Sequence, residues 1–271
     1  MHKLSPRYFG ATLRLGVGLD AIALVESRRW GREHSLLAEL PLDGGVAFPA
    51  ALAAGIGVLF DGAACSRWPL SVVLADELTR LWQVTPPPAC ARLGDLEAAA
   101  ALRFQQLYGE PAASWQLSAD WQLQQPFMAA AVPRAVLAAV QQGANLQAMP
   151  LVAVAPQFLA LFNRHHKTIG RADWLGAVHD GVLTLGVCGD AGLLAVRAIG
   201  LGPGPASDTA WLKDTLAREA LRLNAPAPAR LLLCGDAVPA WRDAAFCVRV
   251  GGESASGLSA AARLALSGAA A

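Results

Sequence analysis

The sequence has few charges, no basic stripe and no apolar run long enough to cross a membrane, and each absence closes off a class of function. Charged residues make up 16% of the chain and the formal net charge is +1. Its Lys and Arg are scattered, whereas a nucleic-acid surface gathers them into a patch, so no nucleic-acid partner is expected. The longest apolar stretch, around 46–60, falls short of the roughly 20 residues of a spanning helix. Pro49, Gly55 and Gly57 also interrupt it. The opening MHKLSPRYFG holds no apolar core of a signal peptide, so a cytoplasmic location is expected. No C-x-x-C occurs, and the five cysteines (Cys65, Cys90, Cys188, Cys234 and Cys247) are odd in number and widely spaced. That pattern fits free thiols rather than a disulfide framework or a zinc site. No G-x-S-x-G is present to mark a hydrolase nucleophile.

What the chain has instead is apolar text cut by turns. Hydrophobic residues fill 54% of its 271 positions, enough for one large core or two modest ones. Two lobes of about 100–150 residues are the natural division at this length. From Leu13, LRLGVG, AIALVESRRW and HSLLAELPL read as three extended runs joined at Gly18–Asp20 and Gly31–Arg32. A helix is predicted over 46–61 and a buried strand over 69–76, where PLSVVLAD is rich in Val and Leu. The Pro-rich TPPPA at 85–89 opens a new unit: a helix over LEAAAALRFQQLYG, capped by Asp95 and stopped by Gly109 and Pro111. Strands at 114–120 and 126–133 follow. RAVLAAVQQG reads as a helix ending at Gly143, NLQAMPLVAVA as a strand, and PQFLALFNRHHK as a helix with Pro156 in its first turn. Near Gly170 the pattern restarts with DWLGAVHD, GVLTLGVCGD and GLLAVRAIGLG, divided at Asp180–Gly181 and Asp190–Gly192. The loop GLGPGPASDT leads to a helix over 208–223 capped by Ser207 or Asp208, strands at 229–236 and 245–250, and a last helix in the tail. No residue-level repeat is visible, yet each half opens with a three-stranded meander and continues as helix and strand. That is a duplication of fold.

Gly16, Gly18 and Ala21 spell G-x-G-x-x-A, but a dinucleotide fingerprint needs a helix directly after the glycines to receive the pyrophosphate. IALVESRRW is β-branched and alternating instead. His165 and His166 are adjacent, so they point to different helix faces and make a poor metal pair; a solvated helix end fits them, and no metal site is expected. His179 reads as an exposed turn residue, and Asp76–Glu77 as a structural pair at a strand end. The eight tryptophans are spread out rather than grouped as a stacking platform. Trp82, Trp115 and Trp121 fall at or near the inserted unit and mark a candidate partner surface.

The element order, with GLDAIA at 18–23, HDGVLT at 179–184 and LLLCGDAVPAW at 231–241, resembles the PilM-like branch of the actin-like ATPase superfamily. That branch includes cytoplasmic type IV pilus-assembly proteins and the cytoplasmic part of the type II secretion L protein. The resemblance implies an α/β, actin-like (ribonuclease H-like) fold of two lobes. The first would span 11–168, with a small inserted α+β subdomain at about 85–147; the second would span 169–271 and include the C-terminal helix. It also implies that the two hairpin turns cradle phosphates and the Gly-rich turn packs on adenosine, which makes Asp20, Asp180, Gly181 and Gly235 a residual nucleotide site. A phosphate hairpin needs Gly, Ser or Thr after its Asp, so that the backbone can approach an anion and hydroxyls can donate. Here Asp20 is followed by Ala21, Ile22 and Ala23. Val182 and Leu183 follow Asp180–Gly181, with Thr184 the only hydroxyl, and Asp236 follows Gly235 where paired glycines are usual. No Lys or Arg lies next to these turns. ATP and Mg are therefore not expected as cofactors, and no catalytic residue is assigned.

The resemblance implies a non-catalytic scaffold, peripheral at the inner membrane through its partners. One partner would be the cytoplasmic tail of a small bitopic inner-membrane protein, added to an exposed sheet edge of the first lobe or its insert. An assembly ATPase would be the second. The lack of a membrane segment is expected to set the chain apart from secretion L proteins, which carry their own anchor. The competing expectation is an ATP-binding phosphotransferase or ATPase of the actin/sugar-kinase superfamily, which needs an Asp base and intact phosphate turns. Self-association is left open.

Overall fold

In the computed structural model, residues 11–28, 34–63, 65–88, 90, 92–189, 192–202, 208–250 and 257–268 are described. The loose terminus expected at 1–10, the turns at Gly31–Arg32 and Asp190–Ala191, the 203–207 stretch with its Ser207 cap, and the 252–256 loop lie outside them. In chain order the elements are β1 (Ala11–Val17), β2 (Ala21–Arg28), β3 (His34–Pro41), α1 (Phe48–Ala63), β4 (Leu70–Leu74), β5 (Arg80–Val84), α2 (Leu93–Tyr108), β6 (Trp115–Ala119), β7 (Phe127–Pro133), α3 (Arg134–Leu146) and β8 (Leu151–Pro156). There follow α4 (Gln157–His165), β9 (Asp173–His179), β10 (Val182–Gly189), β11 (Gly192–Gly200), α5 (Thr209–Leu223), β12 (Arg230–Gly235), α6 (Pro239–Arg242), β13 (Cys247–Arg249) and α7 (Ala260–Leu266). Among the described residues no helix is long and apolar enough to cross a membrane.

The chain divides into two compact units: Met1–Leu78, Arg134–Arg164 and Gly252–Ala271 form one, Thr79–Pro133 and His165–Gly251 the other. In the first unit the sheet order is β3-β2-β1-β4-β8, an antiparallel meander extended by two parallel strands. In the second, β11-β10-β9-β12-β13 repeats that order and those strand directions. The duplication inferred from element order is thus a duplication of sheet topology. β9 is buried along its whole length, as a central strand covered on both faces must be. A helix precedes the first parallel strand in each unit, and the second-unit one, α5, starts at Asp208, whose side chain accepts from the Ala210 N–H at 3.1 Å.

Several expected boundaries and placements move. β5 precedes the Pro-rich break, and α3 belongs with the first unit, so the insert spans 79–133 rather than 85–147. Its three-stranded antiparallel sheet, β5-β7-β6, carries α2 over one face. The insert groups with the second sheet rather than the first, because β5 and β7 lie against β11. α3 runs through Gly143 instead of ending there: a Cβ at Gly143 would stand 2.2 Å from Ile56 Cγ2, so this glycine lets α3 approach α1. The C-terminal helix α7, expected in the second lobe, packs on β1 and β2 of the first unit. Asp95 is the third helical residue of α2 rather than its cap, and its carboxylate accepts from the Arg92 N–H at 3.2 Å.

Candidate functional site

The β1–β2 turn of the first unit carries Asp20 with its side chain exposed. The Gly18 N–H donates to the Ala21 carbonyl at 2.9 Å, and the Asp20 carbonyl accepts from the Leu42 N–H at 2.7 Å. Ile22 and Ala23 point into the core and are fully buried, so the residues that follow Asp20 build a sheet rather than an anion cradle.

In the second unit, Asp180 and Gly181 are the central pair of a two-residue hairpin turn between His179 and Val182, with φ of 43° and 74°. Asp-Gly is the sequence that such a turn demands, because both positions need positive φ. The Gly181 carbonyl accepts from the Leu201 N–H at 2.6 Å. Thr184 is buried in β10 and away from the turn. Gly235 ends β12 beside Val178 of β9, and the Asp236 N–H donates to the Val178 carbonyl at 2.9 Å. The structure therefore brings Asp180, Gly181 and Gly235 to one end of the second sheet, while Asp20 belongs to the first unit.

The tryptophans of the insert are placed differently from expectation. Trp82 is 3% and Trp115 6% exposed and both belong to the core cluster of the insert, while Trp82 also lines the cleft described below. Phe104 joins them, with ring centroids 5.2 Å and 5.4 Å away. Trp121 is half-buried and edges against Phe127 at 5.7 Å. Arg80 lies over the Trp115 and Tyr108 rings and reaches Glu110 at 3.3 Å, and Glu110 accepts from Trp115 Nε1 at 3.0 Å.

The remaining candidates resolve into structural roles. His165 and His179, read as solvent-facing, are buried, while His166 is exposed. Asp76 is buried and accepts from the Phe158 N–H at 2.9 Å, satisfying an open donor at the start of α4. The five thiols are free, and burial pushes Cys188 and Cys247 up to about 11, which leaves them protonated and unreactive.

What sequence reasoning missed is a cleft of about 580 Å³ in the second unit, between β5 and α2 of the insert and β11. β5 and β11 are both edge strands of their sheets among the described residues, so each keeps a row of backbone groups outside its ladder. Among the described residues no acidic side chain lines the cleft, whereas Arg103 and Arg197 both do. Arg103 is exposed and makes no ion pair among the described residues. Arg197 leans on the buried Glu219 carboxylate at 3.3 Å and keeps 41% of its side chain exposed. Leu107, 46% exposed, supplies apolar wall. The Tyr108 hydroxyl donates to the Leu81 carbonyl at 3.0 Å; burial raises its pKa against the pull of the Arg80 and Arg197 charges, so it stays a donor. The only signal in the sequence was a lone arginine on the polar face of α2.

A meander extended by two parallel strands, present twice in one chain, defines the actin-like ATPase fold, and the solved structures of that fold bear this out. A Bacteroides thetaiotaomicron protein with an actin-like ATPase fold and unknown function is 12% identical, with a TM-score of 0.58 over 88% of this chain and 87% of that one. The PilM–PilN type IV pilus biogenesis complex gives 20% identity and 0.56 over 83% and 81%. The cytoplasmic domain of EpsL, an inner membrane component of the type II secretion system of Vibrio cholerae, gives 14% and 0.56 over 95% and 94%. At these identities the likeness is one of fold. No family model matches the sequence, and no curated protein does.

Proposed function

We propose that this chain is a non-catalytic scaffold of a type IV pilus or type II secretion inner-membrane platform, cytoplasmic and peripheral to the membrane. It would hold the cytoplasmic tail of a small bitopic membrane protein and engage the assembly ATPase as a second partner. The fold shared with the PilM–PilN complex and with EpsL supports the class of machine. The observation that carries the docking role is the acid-free, arginine-lined cleft between two edge strands. An extended tail entering it adds main-chain hydrogen bonds to β5 or β11, rests apolar side chains on Leu107, and sets carboxylates against Arg103 and Arg197.

The three turns do not fit a triphosphate. Gly18 has given its N–H to Ala21, Ile22 and Ala23 are buried, and Asp236 follows Gly235. We therefore assign neither ATP nor Mg²⁺ to the scaffold.

The test is a titration of labelled peptides, copied from the cytoplasmic tails of small bitopic membrane proteins encoded beside this chain, into the wild type and Arg103→Glu. One tail is expected to bind, and the charge reversal to weaken it by about tenfold or more, with a steeper loss at high salt. If no tail binds, the scaffold reading fails; if a tail binds the wild type and R103E alike, the cleft is not its site.

A further inference from the structure

Two arginines of the first unit stand without a counter-charge among the described residues. Arg14 lies on β1 and Arg164 near the end of α4. The Nε of each is buried and without a hydrogen-bond partner, and neither forms an ion pair among the described residues. By contrast Arg80, Arg197 and Arg230 are each tied to a carboxylate. Burial first, and then the Arg164 charge, hold the Arg14 guanidinium below its ordinary range, so the two cations sense one another. Burial and both arginine charges also lower His34 on β3, which keeps that imidazole from adding a third charge. Gly268 brings α4 and the guanidinium to one place: a Cβ there would stand in ordinary contact, 3.5 Å from Arg14 Nη1 and 3.6 Å from the Ala160 and Val73 side chains, and Arg164 lies one helical turn beyond Ala160.

Like charges held close, with the Nε of each out of water, are unfavourable until an anion joins them. A carboxylate balances one guanidinium. A phosphate dianion balances two, and its tetrahedral oxygens accept from two planar forks at once. We infer that Arg14 and Arg164 together bind a phosphate group, free or carried on a small phosphate ester. The site is distinct from the β1–β2 turn, which lies further along the chain at Gly18–Asp20, and it does not depend on the docking role of the cleft.

The test titrates inorganic phosphate, glycerol 3-phosphate and acetate into the full chain at constant ionic strength, with ³¹P line width and thermal midpoint as readouts. The ³¹P line of at least one phosphate species is expected to broaden and that species to raise the midpoint, while acetate leaves the midpoint unchanged. Arg164→Gln should weaken the response about tenfold or more, and Arg164→Lys, which keeps the charge and loses the fork, should weaken it less. Tighter binding of the ester marks a phosphorylated metabolite as the ligand; tighter binding of inorganic phosphate marks the free ion. Arg14→Gln should behave like Arg164→Gln, and if it fails to fold the Arg164 variants carry the test alone. The site is refuted if neither phosphate species binds the wild type, or if R164Q and the wild type respond alike.

Discussion

Gly181 and Gly235 look alike in the sequence, each beside an aspartate, but different constraints hold them. Gly181 sits at φ 74° with open space where a Cβ would go. An alanine there meets only left-handed backbone strain, about 1 kcal/mol. At Gly235, φ 79°, the Cβ would fall 2.1 Å from the Val178 carbonyl oxygen, a piece of the neighbouring strand's backbone that cannot turn aside. Urea unfolding is therefore expected to give a loss of about 1 kcal/mol for Gly181→Ala and about 3 kcal/mol or more for Gly235→Ala. Equal losses would mean that β9 yields and that the contact is not what requires glycine. Asp173 makes the second residue-level case. Arg230 donates to both its oxygens, at 3.0 and 2.6 Å, and the Gly170 N–H donates at 2.8 Å. The Arg230 hydrogen bonds hold the carboxyl below the usual range in spite of burial. A lowered folded value means that the pair stabilises above the unfolded pKa of about 3.9 and that this stability fades as pH falls through the folded one. Asp173→Asn should lower stability at neutral pH and should flatten the acid limb below about pH 4. Thermal midpoints against pH read this directly, and an unchanged acid limb refutes it.

At the scale of elements, α7 shows how a motif can mislead. Seven residues cannot sustain a helix alone, and α7 holds because Ala261, Ala262 and Ala265 let it lie close on Ala23 and Val25. Gly16 is part of that approach: a Cβ there would stand 2.1 Å from the Ala261 carbonyl oxygen and 2.7 Å from the Ala265 nitrogen. The first glycine of the G-x-G pattern thus serves a helix contact. Gly16→Ala is expected to lift α7 from β1, lower stability by about 2–3 kcal/mol and open Arg263 to trypsin. Unchanged protection of Arg263 would overturn that. The meanders were legible because short β-rich runs broken by Gly-Asp and Asp-Gly turns have few other readings, and the parallel strands because they are continuously apolar. The address of α7 was not, since an alanine-rich helix carries no mark of the sheet it covers. β5 was hidden because Arg80–Val84 is short and runs straight into the Pro-rich break. Trp82 and Trp115 read equally well as surface or core until α2 is folded over them. The Arg14–Arg164 pair and the acid-free cleft depend on contacts between distant segments, which no local pattern records.

On the scale of the whole molecule, one sheet topology occurs twice, and the three turns to which we assign no nucleotide each meet a demand of sheet geometry. The three positions respond to separate demands: core packing after Asp20, a two-residue hairpin at Asp180–Gly181, and strand contact at Gly235. None of these demands needs a nucleotide, so the fold can persist without one. Linkage gives that statement a number. A ligand bound with a Kd of about 10 µM stabilises by about 2.7 kcal/mol when present at about 1 mM. For a chain of this size that raises the thermal midpoint by roughly 5–10 °C. About 1 mM MgATP is expected to move it by less than about 1 °C, in the wild type and in Asp20→Ala alike. A rise of the larger size that Asp20→Ala abolishes would place the chain among the ATP-binding members of the fold, and the closed turns would then have to open when nucleotide arrives.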